Sequence, residues 1–361
     1  MTAAQRVRQR LVERTVGSPR KLLGRLKRRF SPKGLILMYH RIAEVSSDPW
    51  GLCVSPRHFA EHLEVLTNHG SILRLQQMVE ALEDGNLPRR AIAVTFDDGY
   101  ADVLHNAKPL LDHFRIPATL FVTTGEDRQK RGFWWDELDS LLLQTDRLPE
   151  TLRLEINGQT YTWALGHTTH SKEEDGPHYR SWKAWKEAPT ARHRLYRTLW
   201  QLLSKLPENE RETVLDQLTA WAGVTPAEQP SQALLSTEEI ATVARGGLVE
   251  IGAHTVTHPL LSSLSVSSQR EEIQRSKTSL EQMVSRPVVS FAFPYGNYVA
   301  ETVSIICDAG FRCACSTAGD IVREDSSRFQ LPRVQVLDWE GDVFASQLSK
   351  WFSGDKATGR S

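Results

Sequence analysis

The sequence predicts an α/β protein built from repeated βαβ units, and two observations carry that prediction. Short apolar runs alternate with amphipathic helical patterns, and polar turns follow directly on several of the runs. Residues 34–40 (GLILMYH) read as a buried strand. Ser55 and Pro56 then open a helix to about His69, the serine as cap and the proline in the first helical position. Residues 91–96 (AIAVTF) and 118–123 (ATLFVT) are two further strands, with a helix over 101–113 between them. The alternation resumes late in the chain with strands at 248–253, 288–293, 311–316 and 331–336 and helices at 267–284 and 299–309.

Between about 125 and 235 the pattern is interrupted by a segment rich in tryptophan and polar residues. It carries a helical pattern at 134–143, a hairpin-like piece around Asn157 and Gly158, and a long helical pattern around 190–206. An insertion between two strands of a barrel forms a cap on the loop face. For most of its tryptophans, simple packing in a small satellite core is the expectation. Trp134 and Trp135 are adjacent, so they point to different sides of a helix, which leaves one of them free to be exposed.

The chain has 361 residues, and Lys plus Arg and Asp plus Glu both number 44, so overall charge argues neither for nor against nucleic acid. The imbalance is local. Residues 1–33 hold many basic side chains opposed only by Glu13, without the apolar core or cleavage site of a signal peptide. Leu22, Leu23, Leu26 and Phe30 recur there at helical spacing, which suits either the anionic inner face of a membrane or a solvated arm. The expected location is the cytoplasm, at or away from that face. Cys53, Cys307, Cys313 and Cys315 lie in apolar runs and read as reduced core thiols.

Three segments carry chemistry. Thr95-Phe96-Asp97-Asp98-Gly99 ends a strand in two adjacent carboxylates; these diverge, so one can ligate a metal while the other acts as a base. His254 and His258, four apart and followed by Pro259, can converge on a single ion, and with one carboxylate they leave coordination positions open. Phe293-Pro294-Tyr295-Gly296 makes a rigid turn after another apolar run. All three sit at C-terminal strand ends, where α/β enzymes place their sites. His58 and His62 form a rival pair on one helix, but no acidic side chain stands in a suitable relation to them, and they read as surface or half-buried residues.

In this order, TFDDG, HTVTHP and FPYG resemble the first three motifs of the NodB-like polysaccharide deacetylases, carbohydrate esterase family four. The similarity covers about 34–124 and 235–340. It implies a distorted (β/α)7-type, TIM-like barrel; the largely helical insertion and the basic N-terminal arm lie outside the resemblance, and the domain as a whole is expected to run from 34 to 361. It also implies Asp97 as general base, Asp98, His254 and His258 as ligands of one divalent ion, usually zinc, and the Tyr295 backbone N–H as oxyanion donor. Two departures stand out. The family's arginine two residues before Pro-Tyr is replaced by Ala292, leaving Arg333 as a candidate substitute. The late Leu-x-x-His motif is missing, and Leu37-Met38-Tyr39-His40 occurs instead in the first strand, which resembles the circularly permuted poly-N-acetylglucosamine deacetylases and implies His40 as general acid. The implied substrate is an acetylated amino-sugar glycan or glycolipid, hydrolysed without an organic cofactor. An O-acetyl esterase or amino-sugar deformylase on the same metal site, and a catalytically silent carbohydrate-binding barrel, are the alternatives.

Overall fold

The computed structural model describes residues 33–125, 131–166, 181–224 and 233–353; the basic arm lies outside them, as do parts of the insertion. In chain order the strands are β1 (Lys33–Tyr39), β2 (Arg41–Ile42), β3 (Cys53–Val54), β4 (Ser71–Ile72), β5 (Ala91–Phe96), β6 (Ala118–Val122), β7 (Thr151–Ile156), β8 (Gln159–Ala164), β9 (Val249–Ala253), β10 (Ser290–Ala292), β11 (Cys313–Cys315), β12 (Val322–Arg323) and β13 (Val334–Gln335). The main helices are α1 (Pro56–His69), α2 (Leu75–Glu83), α3 (Lys108–Phe114), α4 (Trp134–Asp139), α5 (Ala191–Leu203), α6 (Glu208–Ala222), α7 (Thr237–Ala244), α8 (Val266–Val284), α9 (Ala300–Asp308) and α10 (Gly341–Ser353).

The sheet runs β11-β10-β9-β6-β5-β1, all neighbours parallel. It curls until its edges meet through the segment 331–336. On one side Leu331 N–H donates to Ala314 and Ser316 N–H donates to Leu331; on the other, β13 pairs in parallel with β1. The seven strands close as the distorted barrel that the motifs implied. β1, β5 and β6 are buried almost throughout, as expected for parallel strands covered by helices.

Parity along the strands separates two cores. Leu35, Leu37, Tyr39, Ile92, Val94 and Phe96 face outward against the helices. Ile36, Ala91, Ala93, Phe121, Ala292, Cys313 and Cys315 cluster with Met78 and Leu82 of α2, which plugs the N-terminal end of the barrel. Small residues are needed in this narrow interior. A Cβ on Gly252 would stand 2.4 Å from Phe121 Cδ1, which explains the glycine in the middle of β9. Three of the four cysteines are buried and free, but Cys307 is exposed on α9.

The insertion has its own hydrophobic cluster, joining α4, α5, α6 and the β7–β8 hairpin. Asn157 and Gly158 form the hairpin turn, both with positive φ (53° and 71°) as a two-residue turn requires. Neither Trp134 nor Trp135 is exposed, contrary to the expectation for adjacent helical positions; both are 5–6% exposed because the helix is covered on two sides. Among the described residues no helix is long and apolar enough to cross a membrane.

The rival histidine pair is structural, and one member is more buried than expected. His62 is inaccessible: it stacks on Phe344 of α10 at 4.1 Å, its Nε2 lies 2.6 Å from the Trp339 carbonyl, and its Nδ1 lies 3.3 Å from the Tyr39 hydroxyl. His58 Nδ1 binds Asp338 at 2.7 Å, and the same carboxylate accepts from the Ser55 backbone and hydroxyl. Together these contacts fasten the C-terminal segment onto α1.

Burial lowers the His62 pKa to about 4, against the pull of its bond to Trp339. The unfolded chain therefore binds a proton between about pH 6.5 and 4 that the folded protein refuses, and stability falls as the pH drops through that window. Urea unfolding at pH 7 and pH 4.5 should show wild type losing about 2 kcal/mol more than His62→Gln across the interval. Parallel losses in the two proteins would rule out His62 as the source.

Candidate metal centre

The polar residues of the barrel interior rise toward its C-terminal rim. Thr95 and Asp97 continue the inward parity of Ala91 and Ala93, and His40 continues that of Ile36 and Met38. Asp97 and His40 line a pocket of about 760 Å³ that also receives Asp98, His254, His258, Tyr295 and Arg333. The strand-end motifs therefore meet in space, as their positions required.

Asp98, His254 and His258 form a compact buried group whose potential ligand atoms all lie within 4.8 Å of one another. Asp98 Oδ1 is 3.5 Å from His254 Nε2 and 3.4 Å from His258 Nε2. His254 Nδ1 lies 2.8 Å from the Ala292 carbonyl, which can only accept, so Nδ1 carries the proton and Nε2 presents its lone pair to the cluster. Ala292, where the family's arginine is missing, thus supplies its carbonyl. Burial alone would raise the Asp98 pKa, but its contacts with His254 and His258 bring it well below the ordinary carboxylate value. One ionised carboxylate and two imidazoles in such proximity fit a divalent ion in an open shell.

The backbone is strained where it shapes this centre. Asp98, Thr255, His258 and Tyr295 all have positive φ, at 77°, 67°, 54° and 56°. The histidine loop is held down by α8: Glu272 accepts from the backbones of Val256 and Thr257 at 2.8 and 2.9 Å and from the Thr257 hydroxyl at 2.7 Å. Thr255 Oγ1 receives the His258 N–H at 3.0 Å, closing a tight turn that returns the second imidazole toward the first.

Arg333 is the substitute that the sequence offered for the arginine missing at Ala292. It has no exposed surface, and its Nη1 and Nη2 each bind one oxygen of Asp97 at 2.6 Å. Its Nε donates to the Ser316 carbonyl and Nη1 also reaches the Thr95 hydroxyl. Burial by itself would raise the Asp97 pKa, but Arg333 above all keeps it below the usual range. Arg333 thus holds Asp97 through two parallel hydrogen bonds from the segment that closes the barrel.

Sequence reasoning missed the aromatic wall. Trp50, Trp135 and Trp200 line the pocket, Trp50 and Trp200 with ring centroids 4.3 Å apart, and the Tyr295 ring packs edge-on to His258 at 4.5 Å. Two of these tryptophans come from the insertion, which thus caps the loop face. The abundance of tryptophan there was the available signal, but it did not distinguish lining from packing residues.

The family pattern described as polysaccharide deacetylase matches residues 84–165 and 200–314. A poly-β-1,6-N-acetyl-D-glucosamine N-deacetylase of Staphylococcus aureus is 29% identical over 104 residues, which are 25% of this chain and 36% of that one. The chain thus spans about a third of that relative. YxkH of Bacillus subtilis is 26% identical over 316 residues, 87% of this chain and 75% of its own. Among solved structures, the deacetylase PplD of Streptococcus pyogenes, determined with acetate, shares the fold at a TM-score of 0.53 and 18% identity, over 86% of this chain and 95% of that one.

The donor geometry predicts one divalent ion per chain. Metal analysis after dialysis should show near-stoichiometric binding in wild type and in His58→Ala, and its loss in His254→Ala. Retention of the ion by His254→Ala would place it elsewhere.

Proposed function

The chain belongs to the polysaccharide deacetylase family, and from that we propose that it is a metal-dependent hydrolase removing N-acetyl groups from an amino-sugar polysaccharide or glycolipid. The observation that carries this reading is the buried Asp98–His254–His258 cluster with a second, differently held carboxylate, Asp97, in the same pocket. Zinc is the ion we assign, because it accepts imidazole and carboxylate ligands while keeping positions open for water and substrate.

Asp98, His254 and His258 hold the ion. When bound, it supplies Lewis-acid polarisation of the acetyl carbonyl and lowers the pKa of a water in reach of Asp97. Asp97 takes one proton from that water as its oxygen bonds to the acetyl carbon. Arg333 keeps Asp97 ionised and aimed for this task. The Tyr295 backbone N–H, in its left-handed turn, donates to the oxyanion. His40 gives its proton to the sugar nitrogen as the C–N bond breaks, so the products are acetate and a free amine. The staphylococcal relative is named for poly-β-1,6-N-acetyl-D-glucosamine, which makes that polymer the first substrate to test.

Acetate release from that polymer tests the reading directly. Formate from a formylated amino sugar, acetate from O-acetyl esters alone, or no turnover with metal bound would favour the deformylase, esterase or silent barrel instead. Asp97→Asn should keep its metal yet lose roughly 10²–10⁴-fold in kcat, since a carboxamide cannot accept the proton. Near-normal turnover by that variant would put the base elsewhere.

Leaving-group chemistry separates the role of His40 from a structural one. An amine needs the proton and an activated phenol does not, so His40→Ala should cripple N-acetyl hydrolysis while largely sparing an aryl acetate. Equal losses on both would remove His40 from the chemistry.

A further inference from the structure

Gln335 lines the metal pocket but has no part in the hydrolysis described above. It stands two positions beyond Arg333, in β13. Val334 and Val336 pack outward in the helix-facing core, so Arg333 and Gln335 share the inward parity. At about 3.3 Å per residue, Gln335 is roughly 7 Å nearer the rim than the side chain that holds Asp97. β13 pairs with β1 so that Gln335 stands opposite Met38, and His40 is the next inward residue after Met38. Gln335 therefore borders the part of the pocket assigned to the departing amine.

The amide of this side chain is fixed. Nε2 donates to the carbonyls of Trp50 at 3.1 Å and of Gly51 at 2.9 Å. Both partners only accept, so the atom facing them is the nitrogen, and both of its N–H groups are used. Oε1 has no hydrogen-bond partner among the described residues and is not sealed from solvent. The carbonyls it leaves behind belong to the loop between β2 and β3, whose Trp50 ring meets Trp200 of the insertion on the same pocket wall. Asp48 ties that loop down again, accepting from the Leu52 N–H and from Lys183 of the insertion, each at 2.8 Å. The open acceptor and the indole wall are thus held in a fixed relation.

An occupant of this wall has to offer a neutral donor to Oε1 and an apolar face to the indoles. An alkyl chain leaves Oε1 unmet, and a cation finds no charge on the amide. A pyranose has both features, in its hydroxyls and its C–H face. We propose that Gln335 is a specificity-determining residue whose Oε1 accepts from a ring hydroxyl of the sugar unit that carries the departing amine. The proposal rests on the reading of this pocket as a sugar N-deacetylase site. One short segment then holds the base and selects the sugar.

Metal-loaded protein should be assayed on the methyl β-glycoside of N-acetylglucosamine and on its 3-, 4- and 6-deoxy analogues, by release of amine. In wild type one analogue should lose on the order of ten-fold in kcat/KM, the effect of leaving one acceptor unmet. In Gln335→Met the parent should fall to the level of that analogue, so that the two are turned over equally. A residue that only braces the Trp50 loop lowers parent and analogues alike and keeps their ratios. Equal turnover of all four sugars by wild type, or discrimination that survives Gln335→Met, overturns the proposal and leaves the deacetylase reading standing. Calorimetry with the same sugars gives a readout without turnover. Discrimination in binding that is lost in Gln335→Met, with no amine released from any sugar, supports the role of Gln335 and refutes the deacetylase reading. Absence of both binding and turnover for all four sugars overturns the proposal as well.

Discussion

The ion pair between Arg333 and Asp97 is the constraint on which the rest of this structure turns. It crosses the barrel interior between the closing segment and β5, and the same guanidinium reaches the end of β11 through the Ser316 carbonyl. Three strand ends are thus fixed by one side chain. A buried pair of this kind costs several kcal/mol per ion in desolvation, which only close geometry and further hydrogen bonds offset. Here both carboxylate oxygens are met and the guanidinium has additional acceptors in Ser316 and Thr95. The alignment that satisfies the pair is the one that closes the barrel and aims a carboxylate into the pocket.

That arrangement involves a compromise. Asp97, held below the usual carboxylate range, stays ionised at neutral pH but is a weak acceptor of protons. Asp98 next to it is directed away, its left-handed backbone turning its carboxylate toward two imidazoles. Two adjacent acids thus acquire different partners, one an arginine and the other a pair of imidazoles. The strain that achieves this is shared among four left-handed residues at the rim and is braced by Glu272 from α8.

Much of this was legible in the sequence because it is local. Apolar runs such as AIAVTF and ATLFVT became strands within a residue or so of their expected ends, and Asp97, Asp98, His254 and His258 were placed by their position after such runs. The Asn157–Gly158 hairpin was visible for the same reason, since its turn chemistry is written in two adjacent residues. What stayed hidden depends on distant partners. β13 is only two residues long and is defined by what it joins, so neither the closure nor the contacts of Arg333 could be read from LPRVQV. His62 seemed half-exposed on its helix because α10, which covers it, was not foreseen. The burial of Trp134 and Trp135 likewise needed the second helical layer, which periodicity in one helix cannot report.

Arg333 and Asp97 stand 236 positions apart in the chain. During synthesis, a ribosome completes the TFDDG turn and both histidines well before it adds the guanidinium that neutralises Asp97. Until then the nascent barrel has an open seam and an uncompensated carboxylate in its interior, and the loop to be closed spans most of the domain. The arrangement at the pocket therefore forms late and all at once, with the segment that seals the barrel, so a partly made chain holds Asp98, His254 and His258 without the pair that fixes Asp97.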